Sequence, residues 1–423
     1  MKLSISILMS VFLFFSCLSC WKTVANEPTF SPTADATYRE VYNPDTDFDN
    51  RFGRTNPGMA ETEDAYYFIS TLGNYIYYYD KLSAERGVLC GKPECMHDSS
   101  ETNVDCMGWV HASGTGHVNY YDGKLYYTGY SNYGDSQIHE SLYRMDPDGS
   151  NRERLFPFTC TNQYFPSGGT ALHRGKLYGW GDHPIVDSAE AKRNVNLSCW
   201  DLETGESKLI YERTDSVSNS KLRVFFFGRY VYICDSFFYP NNSERGCTVI
   251  ILRWDIVKEQ LETVFMGEGF GGSYYDIWVE AENKIYIAPI FSENFEKTNV
   301  YCLSNGEVSI AVSVEGAYCP RLIEGAFAFL ALSNNIEEQH VIITDYEGNV
   351  LYEGGWSFDA LNELPGEPNW GSFAAVYGDR DTIYIIYYVN DNRIASGMRQ
   401  CIVRYDIQDG EIVDSKLLCV SKW

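Results

Sequence analysis

The chain has 423 residues, of which 44 % are hydrophobic and 22 % are charged, so it is long enough to bury a sizeable core. Its formal net charge of −25 would repel a phosphate backbone, which argues against a nucleic-acid partner. The 33 Tyr and 23 Phe favour half-buried strands, and the 35 Gly suit many turns, so the composition predicts an all-β protein.

The N-terminus has the pattern of an export signal. A single lysine precedes an apolar run from Leu3 to Phe15, which is typical of a signal peptide over residues 1–20 and too short for a transmembrane span. The end of this run resembles a bacterial lipoprotein signal, with Cys20 as the lipidated residue, Cys17 as the alternative, and plain secretion as the other possibility. Residues 21–37 are polar and predict a tether. The predicted location is the extracellular side of a bacterial membrane, by lipid anchor, or the medium.

A short pattern recurs along the rest of the chain, in which a turn residue is followed by an apolar or aromatic strand. Successive copies start 42 to 56 residues apart. The seven copies are GNYIYYY from Gly73, GKLYY from Gly123, GKLYG from Gly175, GRYVYI from Gly228, NKIYI from Asn283, GAFAFL from Gly325 and DTIYI from Asp381.

Each copy lies within a unit of about fifty residues that holds further strand patterns. An apolar strand precedes it, and a strand ending in an acidic turn follows it, as in LYRMDPDG from Leu142. Four short antiparallel strands per unit cannot bury both faces alone, but radial repetition stacks each sheet on its neighbours. The sequence therefore predicts one β-propeller domain over residues 38–423, with seven blades, and a series of β-sandwiches is the less regular alternative.

In the sequence pattern the first repeat is one strand short. The segment ATYREVYN, residues 36–43, is predicted to supply a strand that joins the sheet of the C-terminal KLLCVSKW. Such a mixed blade would close the ring and remove exposed strand edges.

One polar stretch, LCGKPECMHDSSETNVDC, concentrates residues that bind metals. Cys90, Cys95, His97 and Cys106 form a Cys₃His set of the kind that holds structural zinc. The alternative is a disulfide, such as Cys95 with Cys106, because exported chains commonly oxidise their cysteines. Further possibilities are His111 or His117 as substitute ligands, and disulfides between Cys234 and Cys247 and between Cys401 and Cys419.

The same residues carry a resemblance to known proteins. Blades of the type GKLYY…LYRMD resemble the low-density-lipoprotein-receptor type of β-propeller. With the Cys-x-x-x-x-Cys-x-His stretch of LCGKPECMHD and a further cysteine, Cys106, the chain more closely resembles uncharacterised propeller lipoproteins of anaerobic gut bacteria. The resemblance covers nearly the whole mature chain, although Met107 and Gly108 stand where that family often has Asn-Ala. It implies a fold and an extracellular location, but no established activity.

No other motif predicts a reaction. There is no HExxH or GxSxG sequence. His183 is interpreted as a solvated loop residue, and MGEGFGGSYYD, from Met266, as a flexible connection. Four aromatic residues are interpreted as packing between blades, with a sugar-binding face as the alternative: Tyr274, Tyr275, Trp356 and Trp370.

These observations favour a non-catalytic module that binds a protein or carbohydrate at the cell surface as a monomer. The alternative is an extracellular enzyme that acts on glycans or peptides with a pair of carboxylates at the channel mouth.

Overall fold

The computed structural model describes residues 35–421 apart from 53–57, 71–74, 96, 98–105, 111–116, 132–138, 159–167, 186–191, 217–218, 239–246, 293–296, 318, 332–339, 365–366, 369–374, 392 and 394–396. The predicted signal peptide, Cys17, Cys20 and nearly all of the predicted tether lie outside the described residues.

The described chain forms seven antiparallel sheets, which are the blades of a β-propeller, as the repeat predicts. Blade 1 consists of β1 (Met59–Glu61), β2 (Ala65–Ile69), β3 (Ile76–Asp80) and β4 (Arg86–Val88). Blade 2 consists of β5 (Val118–Tyr121), β6 (Lys124–Ser131), β7 (His139–Met145) and β8 (Glu153–Phe158). Blade 3 consists of β9 (Gly169–His173), β10 (Lys176–Ile185), β11 (Lys192–Asp201) and β12 (Ser207–Asp215).

The remaining blades follow in chain order. Blade 4 consists of β13 (Asn219–Phe227), β14 (Tyr230–Phe238), β15 (Thr248–Asp255) and β16 (Gln260–Glu268). Blade 5 consists of β17 (Gly272–Ala281), β18 (Lys284–Ser292), β19 (Lys297–Ser304) and β20 (Glu307–Glu315). Blade 6 consists of β21 (Cys319–Ile323), β22 (Ala326–Ala331), β23 (His340–Thr344) and β24 (Val350–Gly354). Blade 7 consists of β25 (Glu367–Pro368), β26 (Ala375–Gly378), β27 (Thr382–Asn390), β28 (Met398–Gln408) and β29 (Glu411–Val420), with β25 and β26 both paired to β27.

The core lies between the blades. In blade 4 the second strand, β14, is buried at eight of its nine residues, because both of its faces pack on neighbouring sheets. The outermost strand, β16, is exposed or half-buried throughout. Each of the six hydrophobic clusters of the described residues joins adjacent blades, and one of them joins blade 7 to blade 1.

The ring closes without a shared strand, so the predicted mixed blade is wrong. Every blade is built from consecutive strands, and β1 supplies the strand that the first repeat seemed to lack. Blade 7 meets blade 1 through side chains. The hydroxyls of Tyr66 and Tyr384 are 3.1 Å apart, Ser70 donates to Gln400, and Arg86 Nη1 donates to the carbonyl of Leu417.

Residues 36–43 instead belong to a segment that crosses one end of the ring. Helix α1 (Tyr38–Val41) begins this segment, and we define residues 37–52 as the proximal segment. It lies where hairpins join the first and second strands of the blades, and we name this the proximal end of the ring and the opposite end the distal end.

The proximal segment contacts all seven blades. Its ladder partner in blade 5 is Ala281, which pairs with Thr37. The other contacts, in blade order, are Arg51 with Glu61 (3.1 Å), the Asp45 carbonyl with the Asp122 amide (3.3 Å), the Thr46 carbonyl with the Arg174 amide (2.7 Å), Asn50 with the Phe226 backbone (2.7 and 3.0 Å), Arg39 with Glu324 (2.7 Å) and the Arg51 carbonyl with the Gly378 amide (3.2 Å).

Two loop interpretations are wrong. His183 is buried within strand β10, opposite Asn194, and the Gly-rich MGEGFGGSYYD forms the end of β16 and the start of β17. Its turn is tied down, because the amides of Phe270 and Gly272 both donate to the Tyr275 hydroxyl. In the part of the chain that the structure describes, no helix is long and apolar enough to cross a bilayer.

Candidate metal centre

The Cys-His loop leaves the outermost strand of blade 1 and returns towards blade 2 at the distal end. Both of its ends bind the same residue at the start of β3: the Leu89 amide donates to the Ile76 carbonyl, and the Ile76 amide donates to the Gly108 carbonyl, each at 2.8 Å. From blade 2, Arg152 Nη1 donates to the carbonyl of Trp109 at 2.6 Å. The loop is therefore fixed to both blades before any metal is considered.

A close approach of two backbone segments explains the departure at Gly108. A Cβ atom at this position would lie 2.5 Å from the carbonyl oxygen of Leu89 and 3.0 Å from a methyl group of Val88. Glycine is therefore needed where the resemblance suggests alanine. The sequence pattern did not reveal this contact, because it depends on the return of residues 106–109 beside β4.

The four predicted ligands converge at this loop. The ligand atoms of Cys90, Cys95, His97 and Cys106 all lie within 4.8 Å of one another. Cys106 is fully buried, and the other three are half-buried. His97 has a positive φ of 53°, a strained conformation for a residue with a side chain, and its ring meets Tyr75 edge to face at 6.0 Å.

The electrostatics of the cluster favour one thiolate. Burial alone would raise the pKa of the Cys90 thiol, but hydrogen bonds from His97 and from the amides of Lys92 and Met107 lower it below the usual cysteine range. Burial and the neighbouring Cys90 raise the pKa of Cys106 above that range. A thiolate is the form of cysteine that binds metal, so the loop is already arranged to stabilise a sulfur ligand.

The donor set fits zinc. Tetrahedral zinc with Zn–S bonds of about 2.3 Å requires sulfur atoms about 3.8 Å apart, so the observed cluster needs only a small contraction. Among the described residues the buried Nε2 atom of His97 has no hydrogen-bond partner, so it is free to bind an ion. The Cys₃His group could therefore hold a metal, and all four tetrahedral positions would come from the protein. That is the arrangement of a structural site, since a catalytic zinc keeps an open position.

The predicted alternatives are placed as follows. No disulfide joins any of the nine cysteines whose side chains the structure describes, which include Cys234, Cys247, Cys401 and Cys419. His117 is buried, but it is not part of the cluster, and His111 lies outside the described residues.

The aromatic residues proposed to line a sugar-binding face divide into two groups. Trp356 packs on Tyr405 with ring centroids 5.0 Å apart, and Tyr275 is fully buried, so these two pack within and between blades as expected. Tyr274 is half-buried at the distal end, and Trp370 lies outside the described residues.

Carboxylates also gather at the proximal end, but they bind arginine. Arg51 lies 2.8 Å from Asp49, 3.1 Å from Glu61, 3.3 Å from Asp379 and 3.8 Å from Glu324. This group therefore holds the proximal segment to blades 1, 6 and 7.

Comparisons with known proteins show similarity of fold alone. No family model and no curated protein matches the sequence. Among solved structures, an oligogalacturonate lyase in complex with manganese is 11 % identical over 87 % of this chain and 92 % of that one, with a TM-score of 0.46. A prolyl endopeptidase structure is 11 % identical over 91 % of this chain and 52 % of that one, with a TM-score of 0.47. A nidogen/laminin complex is 9 % identical over 67 % of this chain and 91 % of that one, with a TM-score of 0.36.

Proposed function

We propose that the chain is an exported, lipid-anchored β-propeller that binds a protein or carbohydrate without turning it over, at the extracellular side of a bacterial membrane. The observation that carries this proposal is the composition of the Cys₃His cluster, which is that of a structural metal site. Among the described residues the cluster is a closed Cys₃His set at the edge of blade 1, and the carboxylates around Arg51 at the proximal end form ion pairs with it. Both arrangements support the fold and neither suits catalysis.

In this proposal Cys90, Cys95, His97 and Cys106 hold one structural zinc ion. Zinc would replace the repulsion between neighbouring thiolates with four bonds and fix the loop between blades 1 and 2. The lipid anchor is placed at Cys20, with Cys17 as the alternative, as in the lipoprotein family that the sequence resembles.

Removal of the zinc is the first test. We expect about one zinc per chain by elemental analysis, and a melting temperature that falls when a chelator removes it, because metal-binding energy contributes to folding. A Cys95→Ser variant should lose the metal and melt at the temperature of the chelated protein. Cys302→Ser is the matched control, since Cys302 is also half-buried but lies in blade 5, outside the cluster.

Two results would contradict the structural zinc. Full-length protein with no zinc and few titratable thiols before reduction would show a disulfide loop in its place. A zinc-loaded protein that hydrolyses or cleaves glycans or peptides, and loses that activity in Cys95→Ser, would show a catalytic centre and overturn the non-catalytic proposal as well.

The anchor has its own test. Wild-type protein expressed in a bacterial host should partition with the membrane and incorporate a labelled fatty acid, and Cys20→Ala should abolish both. If Cys17→Ala abolishes them instead, Cys17 is the lipidated residue. Release of the wild-type protein into the medium would leave plain secretion as the route.

A further inference from the structure

Two positive side chains at the distal end of blade 4 have no partner among the described residues. Lys221 and Arg223 alternate along the innermost strand β13, so they lie on the same face of that strand. Neither side chain has a hydrogen bond or ion pair, and Arg223 is the single arginine among the described residues of which this is true. Lys221 is exposed, whereas Arg223 is half-buried and its Nε atom is buried without an acceptor.

This arrangement is unfavourable for the fold by itself. Burying a guanidinium N–H group without an acceptor costs free energy, and two cations two residues apart on one face repel each other. The chain has 58 acidic residues and 33 basic ones, so it contains enough carboxylates to pair with both cations. Partial burial, and then the charge of Arg223, lower the pKa of Lys221.

An aromatic residue of blade 5 lies beside the same place. The Tyr275 amide donates to Ser236 Oγ at 3.2 Å, and Ser236 is the ladder partner of Lys221. Tyr274 therefore reaches the distal end next to this pair. The charges of the Asp182–Arg193 ion pair of blade 3 affect the pKa of both Lys221 and Tyr274. The two side chains therefore approach the same place from neighbouring blades.

The backbone at Tyr274 is strained. Its φ is 57°, within a strand whose flanking residues Ser273 and Tyr275 keep their ladder partners Phe291 and Pro289. A bulky residue in the left-handed region is strained. An unpaired cation pair and a strained aromatic residue thus adjoin each other, and each carries an energetic cost that the fold does not require.

We propose that Lys221, Arg223 and Tyr274 form a binding site for an acidic saccharide, in which the cations bind its carboxylate or sulfate group and the tyrosine ring contacts a sugar ring. This inference rests on the proposed binding function and names its ligand class and its face. A guanidinium pairs with a carboxylate or sulfate through charge-assisted hydrogen bonds, and the tyrosine ring offers an apolar surface with a polar tip. The site lies about 10 Å from the proximal segment, since Arg223 and Phe226 are three positions apart along the strand.

The test measures binding of hyaluronan and heparan sulfate hexasaccharides to the full chain by calorimetry. We expect one of them to bind, and its carboxyl-reduced or desulfated form to bind far more weakly. Arg223→Gln should lower the affinity about tenfold or more, because each charge-assisted hydrogen bond contributes about 1.5–3 kcal/mol. Tyr274→Gly should lower it as well, while permitting the positive φ.

The matched control is Lys297→Gln. Lys297 is an exposed cation at the distal end of blade 5 that has no ion pair with any residue the structure describes, so this variant removes one charge from the same end of the ring. Its affinity should stay within about twofold of wild type, since exposed charges at a distance are screened. Arg223→Gln should melt at or above the wild-type temperature, because it removes an uncompensated buried donor; a loss of binding in this variant is therefore not a loss of fold.

Three outcomes would overturn the inference. They are no binding of either hexasaccharide, equal loss of affinity in Arg223→Gln and Lys297→Gln, or tighter binding of a glutamate hexapeptide than of the saccharides. The last would assign the site to acidic peptides. None of these results involves the metal or the anchor, so the proposed binding module would stand or fall separately, on turnover and on zinc content.

Discussion

At the scale of single residues, the fold depends on buried polar groups with defined protonation states. His173 is fully buried between the proximal segment and blade 4. Its Nδ1 accepts the Phe48 amide at 3.1 Å, so Nε2 carries the hydrogen and donates to the Gly228 carbonyl at 2.6 Å. The neutral ring is the form that fits, and burial lowers the pKa of His173 to about 4.

This histidine predicts acid sensitivity. In the unfolded chain it takes up a proton near pH 6.5, but in the folded protein only near pH 4, so its stabilising contribution is complete above pH 6.5 and is lost as the pH falls towards 4. The loss amounts to about 3 kcal/mol at 1.36 kcal/mol per pKa unit. Denaturant unfolding from pH 7 to 4.5 should show a shallower decline in His173→Gln than in wild type.

The control for this experiment is His340→Gln, since His340 lies at the surface beside Glu353. It should keep the wild-type pH dependence. An identical slope in His173→Gln and wild type would show that other groups, such as the buried His117, account for the acid lability.

Gly108 makes a second prediction at this scale. Gly108→Ala places a methyl group against the Leu89 carbonyl oxygen, which the two hydrogen bonds at Ile76 hold in place. We expect a loss of about 1–3 kcal/mol in unfolding free energy, as for other overpacked sites. Gly91→Ala is the control, because a Cβ there would meet no atom within 4 Å. Equal stability of the two variants would refute the close contact.

At the scale of elements, the proximal segment takes the place of the strand exchange that the sequence suggested. Asn50 shows how. Its side chain donates to the Phe226 carbonyl at 2.7 Å and accepts from the Phe226 amide at 3.0 Å, so it pairs with the free inner edge of β13 as another strand would. Its own amide donates to the Tyr38 hydroxyl at 3.0 Å.

Asn50→Ala should therefore destabilise the protein strongly. It would leave a buried amide and a buried carbonyl of Phe226 without partners, at about 1–3 kcal/mol for each group. Asn219→Ala is the control in the same strand, because Asn219 is exposed. The melting temperatures of both variants would test this prediction. Equal melting temperatures would show that the proximal segment contributes little to the ring.

Comparison of the sequence pattern with the structure shows which elements the sequence could predict. Turn residues followed by aromatic strands recur about every fifty residues, with one copy in each of the seven blades, so blade number and order could be predicted. The structure of the ATYREVYN segment could not be predicted, because its alternation of residues fits a strand. In the folded protein Thr37 and Glu40 form a capping box for a short helix, and contacts with residues distant in sequence determine where the segment lies. Lys221 and Arg223 look like ordinary surface charges until the missing partners are seen.

At the scale of the whole molecule, the seven blades are held by contacts between neighbours and by one segment at the centre. The Cys-His loop was predictable as a group because its four ligands lie within seventeen residues. Its attachment to blade 2 through Arg152, and its position at the distal end with the Lys221–Arg223 pair, follow only from the closed ring. The two ends of the ring therefore differ. The proximal segment crosses the proximal end, and the candidate sites lie at the distal end.

The proximal segment also determines the order in which the molecule can form. It leaves the ribosome before any of its partners, yet Arg51 must wait for Asp379, which follows 328 residues later. Closing a loop of that length is slow, and none of the contacts to blade 7 exists until the last strands are made. The earliest part of the propeller to be synthesised therefore completes its contacts only after the last blade has formed.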